Sequence, residues 1–135
     1  MELNNLYDLK NYLLKPPTLC LNMIVKNEAK IITRLFDSVL PLIDTYFICD
    51  TGSTDDTVDV IMDFFKDTSI VSGKIIYEPF KDFGYNRSYA LKQCIGMDNA
   101  DYILLLDADM ILELEPLFSI DDFKNSLDKD VYMVF

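Results

Sequence analysis

Apolar positions along the chain change period repeatedly, from continuous runs of strand length to stripes of helical spacing. TLCLNMIV (18–25) follows the break at Pro16-Pro17 and reads as a buried strand. Ile31, Ile32, Leu35, Phe36, Val39 and Leu40 then fall on one face of a helix, which Asn27 is expected to cap and Pro41 to limit. TYFICD (45–50) is a second strand, followed by the polar turn TGSTDDT and a helical stripe of Val58, Ile61, Met62 and Phe65. Ser53 or Thr54 is the expected cap of that helix, and Asp55 and Asp56 suit the positive end of its dipole. Gly73 opens a third strand, KIIYEP, which Pro79 ends. The loop FKDFGYN leads to a helix carrying Ala90, Leu91, Cys94 and Ile95 on one side. DYILLLD (101–107) is a fourth strand, and VYMVF (131–135) reads as a fifth after a short helix near Ile120 to Leu127.

Strands that alternate with helices and are apolar along their whole length predict an α/β domain of Rossmann-like type. Its sheet is expected to be mostly parallel, with helices on both faces. In such sheets ligands bind beyond the carboxyl ends of the strands. The residues to inspect are therefore Lys26-Asn27-Glu28, Asp50 to Ser53, Glu78 with the loop to Arg87, and Asp107-Ala108-Asp109. A length of 135 residues suits one domain. Residues 1–17 are read as an N-terminal extension and 18–135 as the domain, and the apolar final segment suggests a truncated chain. That segment also makes pairing with a second copy possible.

Composition narrows the function. Twelve basic against 23 acidic residues give a net charge of −11, which opposes binding to nucleic acid and suits a site that holds a cation. Cys20, Cys49 and Cys94 lie far apart in apolar surroundings and read as core thiols of a reducing compartment. Because the chain has no His, acid–base or metal chemistry falls to carboxylates. The N-terminus lacks the pattern of a secretory signal, and no apolar run reaches membrane-spanning length, so a cytoplasmic location is expected.

Four clusters carry candidate chemistry. In YILLLDADM, Asp107 and Asp109 sit at i and i+2, which on an extended segment share a face and invite a hard divalent cation. An isolated pair of this kind is common by chance, and taken alone it reads more readily as a cap plus a solvated charge. In CDTGSTDDT, Gly52 permits a tight turn, Ser53 to Asp56 suit capping, and Asp50 stands at the strand end, where its carboxylate can accept from the N–H of a nucleobase. Arg87, in FGYNRS, combines a guanidinium with a predicted helix start, both of which favour anionic oxygens, although a surface ion pair would account for it too. In IVKNEA, Asn27 can serve as a cap and Lys26 as an exposed charge.

The ordered set MIVKNEA, CDTGSTDDT, FGYNRSYAL and YILLLDADM, spanning roughly residues 18–112, resembles the nucleotide-binding half of the inverting glycosyltransferases of family two, which have the GT-A fold. The resemblance implies a nucleotide-sugar donor, a UDP-sugar being favoured, and a Mn or Mg ion. It places Ile24, Val25, Asn27 and Glu28 near the nucleotide, Asp50 on the base, and Asn86 and Arg87 close to the nucleotide. Asp109 is implied to ligate the metal that bridges the diphosphate, with Asp107 near the ribose or donor sugar and on the metal side.

In that family the general base lies in a later, acceptor-binding half, whereas this chain stops 26 residues after Asp109. Glu113, Glu115, Asp121, Asp122, Asp128 and Asp130 are the later acids, and none sits in a matching pattern, so no base and no acceptor are assigned. A second reading is a non-catalytic nucleotide-binding module of a larger protein. A third is metal-dependent phosphoryl transfer, since an apolar strand followed by DxD also resembles haloacid-dehalogenase-like phosphatases. That family carries its motif on an early strand, with further residues downstream for which this chain has no room.

Overall fold

A computed structural model describes residues 5–6, 15–70, 72–97 and 100–131. The described elements alternate as expected: β1 (Leu19–Val25), α1 (Ile32–Val39), β2 (Thr45–Asp50), α2 (Thr57–Lys66), β3 (Gly73–Tyr77), α3 (Phe83–Met97), β4 (Tyr102–Leu105) and α4 (Ile120–Asn125). The four strands form one sheet in the order β3-β2-β1-β4, and every pairing is parallel. Register aligns Val25 with Asp50 and Asp50 with Tyr77, so the carboxyl ends of β1, β2 and β3 finish at one level. The α/β fold with a parallel sheet is thus the one that the apolar pattern predicts.

Alternation along β1 divides the core. Leu21, Met23 and Val25 point into the larger cluster, where Ile32, Leu35, Phe36 and Val39 of α1 meet Ile61 and Phe65 of α2. Cys20 packs on the other face with Phe47 and Cys94 of α3, and all three cysteines are buried as expected. Helices therefore cover both faces.

Several local expectations are corrected. β4 stops at Leu105 instead of Asp107 because the chain leaves the ladder for a turn closed by Met110 N–H donating to Asp107 O at 3.1 Å. α3 begins at Phe83, so FGYN is helix and not loop, and Asp82 Oδ1 accepts from Tyr85 N at 2.7 Å as its cap. Met62 and Ile95 are exposed rather than part of the buried stripes, since Thr57 and Asn86 are the polar residues that turn inward. α4 has the cap its sequence suggests, with Ser119 Oγ accepting from Asp122 N at 3.2 Å. The buried Lys124 fastens α4 to Asp44 at 2.8 Å. Of the fifth strand, Val131 is described and is not in a strand, while 132–135 lie outside the described residues, as does most of the 1–17 extension.

Gly73 is required by a close approach. A Cβ there would sit 2.0–2.3 Å from ring atoms of Tyr46, whose ring stacks on Phe65 with centroids 3.9 Å apart. Gly73→Ala therefore has to displace that stack, and a loss of roughly 1–3 kcal/mol is expected. Thermal melting measures it.

Candidate functional site

The loops after β1 and β2 are braced against each other. Asn27 adopts a left-handed φ of 55°, and its Oδ1 accepts from Thr54 N at 2.7 Å and Asp55 N at 3.2 Å. Its own N–H donates to Ser53 Oγ at 2.9 Å, and Glu28 N donates to Thr57 Oγ1 at 2.8 Å. Asn27 is thus no cap for α1, which starts at Ile32 without a side-chain cap; it organises the neighbouring loop instead. Ser53 and Thr54 do not cap α2 either. The cap position is Asp56, whose side chain makes no cap bond; Asp55, one residue earlier, accepts from Thr57 N at 3.0 Å and from the Thr57 hydroxyl, and also from Ala29 N at 3.3 Å.

These bonds, the Thr57 hydroxyl first, hold the Asp55 carboxyl below its ordinary value of 3.8. A depressed carboxyl contributes stability above its unfolded pKa and loses it as pH falls through the folded one. Asp55→Asn should therefore lower stability near neutrality, leave it unchanged at pH values below the folded carboxyl pKa, and so flatten the profile through the acidic range. Chemical denaturation at a series of acidic pH values checks this.

Asp50, at the end of β2, is 6% exposed, and its oxygens accept from Gly52 N at 3.2 Å and Ser53 N at 3.2 and 3.3 Å. Gly52 holds φ +125°, a conformation a side chain would strain. A carboxylate has about four acceptor positions. Asp50 therefore shapes the turn and retains capacity for one more donor.

Above these loops lies a cleft of about 540 Å³ lined by Ile24, Val25, Lys26, Glu28 and Thr51 from the β1 and β2 ends, Phe80 and Phe83 from beyond β3, and Asp107 to Asp109. Ala108 is 4% exposed and anchors in the main core, which fixes the turn that carries its two acidic neighbours. Asp107 and Asp109 thus share a cleft because of a tight turn, and not because of the extended backbone that their i, i+2 spacing suggests. Burial raises the Glu28 carboxyl pKa, and the charges of Asp109, Asp55 and Asp107 raise it further. Among the described residues, no salt bridge involves Glu28, Asp107 or Asp109. The cleft holds unbalanced negative charge.

The α3 side differs from expectation. Asn86 is fully buried, accepts from Lys81 N at 2.8 Å, and donates to Pro79 O at 3.1 Å and Glu78 O at 3.4 Å. It fixes the loop after β3 and does not line the cleft. Arg87 lies one turn into α3 rather than at its start, and its Nη1 donates to Asn22 O at 3.4 Å. Burial lowers its pKa while the charge of Asp107 opposes that shift.

Three contributors escaped the sequence reading. Asn22 is a fully buried amide inside the apolar run of β1; it donates to Phe47 O at 3.0 Å and Ala90 O at 3.3 Å, and its Oδ1 has no partner among the described residues. Phe80 and Phe83 sit in what reads as a connecting loop. Their signal was positional, since that loop follows β3 on the same edge as Asp50. Lys26 Nζ stands 5.6 Å over the Phe80 ring, a contact worth roughly 0.5–1 kcal/mol when exposed.

Among the described residues, no group of three His, Cys, Asp or Glu side chains is gathered closely enough to hold a metal alone. The donor chemistry nevertheless fits a hard divalent cation. Mg-type ions take one or two carboxylates and complete their shell with water and substrate phosphates.

A family model described as "Glycosyl transferase family 2" matches residues 20–131. An uncharacterized glycosyltransferase of Rickettsia felis is 31% identical over 113 residues, covering 84% of this chain and 36% of the relative. The SPbeta prophage-derived glycosyltransferase SunS of Bacillus subtilis is 36% identical over 100 residues, covering 73% of this chain and 22% of that protein. Among solved structures, glucosyl-3-phosphoglycerate synthase from Mycobacterium tuberculosis, in complex with Mn2+ and UDP-glucose, superimposes with a TM-score of 0.53 at 19% identity. That match covers 82% of this chain and 40% of the synthase, and it shows a shared fold. The chain spans about a third or less of the length of these two curated relatives.

Proposed function

Because the chain belongs to glycosyl transferase family 2, we propose that its cleft binds a nucleotide-sugar, with a UDP-sugar favoured, and that the protein of which it is the donor-binding part transfers the sugar with inversion. The observation that carries this is the convergence of Glu28, Asp107 and Asp109 on one cleft at the carboxyl edge of a parallel sheet, with no salt bridge to any of the three among the described residues. Like charges brought together in this way repel one another, and a bound cation relieves that repulsion. A Mn or Mg ion does this and keeps coordination positions for the oxygens of a diphosphate. The UDP-glucose and Mn2+ held by the mycobacterial synthase favour the same pair of ligands.

In this reading Asp109 holds the cation, with Asp107 beside it and toward the ribose or sugar. A bound divalent cation would stabilise the charge that develops on the leaving diphosphate. Ile24 and Val25 form the floor under the nucleotide, and Asp50 uses its remaining acceptor position for the N–H of the base. Asn27 and Asn86 act by fixing the two loops that frame the cleft, and Arg87 supplies positive charge behind Asp107.

A second reading is favoured by the share of the relatives' length that the chain covers: a nucleotide-binding module without turnover of its own. Calorimetry with UDP, GDP and their sugars, with and without Mn, tests the donor reading. Absence of binding by any of them at millimolar concentration overturns it. Release of free sugar from the donor by the 135-residue chain, lost in Asp109→Ala, would count against the module reading.

A further inference from the structure

Phe80 and Phe83 stand in the cleft 51% and 60% exposed, so neither ring is spent on the core. The backbone beneath Phe80 is nonetheless fixed. Phe80 N donates to Thr51 O, and Glu78 N to Asp50 O, both at 3.0 Å. The ring is thereby tied to the β2 end of the cleft, while the Asp107–Asp109 turn follows β4 at the other. With β1 between them, the two ends are separated by two strand spacings, about 10 Å. One face of the ring carries the ammonium of Lys26, at 5.6 Å and near the roughly 6 Å limit of such contacts. An accessible π-face on a fixed backbone, tied to the β2 end of the cleft and apart from Asp107 and Asp109, has the form of a platform for a flat ring system.

We propose that Phe80 stacks on the base of the donor nucleotide, and that Lys26 leaves the ring face as the base arrives. This rests on the nucleotide-sugar reading above and adds a division of labour to it. The ring holds any base by its π-face, whereas Asp50 chooses among bases by their edges.

The chain contains no Trp, so Phe80→Trp creates a single fluorescent reporter at the platform. With Mg, which does not quench tryptophan as paramagnetic Mn does, UDP should quench it and pyrophosphate should not. In calorimetry Phe80→Ala should weaken UDP about ten-fold, leave pyrophosphate unchanged, and be rescued by Phe80→Tyr. Equal UDP affinity in wild type and Phe80→Ala overturns the stacking while leaving the donor reading intact. Equal loss of UDP and pyrophosphate also overturns it, since Phe80 would then only shape the cleft. Failure of UDP to bind the wild type at millimolar concentration removes both.

Discussion

Asp109→Ala is expected to lower the affinity for UDP in the presence of Mn by at least about 100-fold, because even the outer partners of metal ligands typically cost 10–100-fold. The same substitution should leave the stability of the fold within about 0.5 kcal/mol of the wild type. Asp109 is exposed, makes no salt bridge among the described residues, and contributes to the electrostatic pressure on Glu28. Removing it relieves that pressure, so the Glu28 carboxyl should titrate at lower pH, which NMR can follow. Asp109→Asn separates charge from shape: the amide keeps the volume but should lose the cation as thoroughly as Ala does. Identical UDP affinities of wild type and both variants in Mn, and again in EDTA, would remove the cation from the account.

Asn86→Ala should give the opposite result, a large loss of stability. The side chain is fully buried and joins Lys81 N, Pro79 O and Glu78 O, so its removal strands three backbone groups of the loop after β3. Each net hydrogen bond is worth about 1 kcal/mol, and stranded groups cost more, which makes roughly 2–4 kcal/mol. For a domain of this size that lowers the melting temperature by on the order of 10 °C. Nucleotide affinity measured well below the new melting point should fall only modestly. An unchanged melting temperature with a large loss of UDP binding would instead make Asn86 a direct ligand, as the family resemblance implies.

The contrast between these residues shows what was legible. Element order, the parallel sheet and the edge where the site lies follow from apolar periodicity, because β1 and β2 are buried nearly throughout and α1 carries a clean stripe. Asp107 and Asp109 were legible as a pair by spacing, although the backbone that unites them is a turn. Asn27, Asp55 and Asn86 were not, since a capping residue looks the same whether it serves its own helix or a loop some 26 residues away. Sequence proximity favours the local partner, and here the parallel register of Val25 with Asp50 brings the distant one nearer. Phe80 was illegible for another reason: periodicity finds aromatics that are buried, and this one is exposed on a loop fixed by backbone bonds.

The pairing of β1 with β4 has a consequence for how the molecule comes into being. Thr18 and Asp101 are joined by hydrogen bonds across 83 residues, so β4 can dock only after nearly every other strand and helix has been made. β1 and β2, by contrast, pair across one short crossover. Folding that starts from local contacts assembles the Asp50 side of the cleft early and the Asp107–Asp109 turn late. β4 is only partly buried along its length, whereas β1 is buried almost throughout. Its amides should therefore exchange with solvent sooner than those of β1. A nascent chain that has emerged only as far as Ala100 already contains Asp50 and Phe80, and acquires the Asp107–Asp109 turn only after β4.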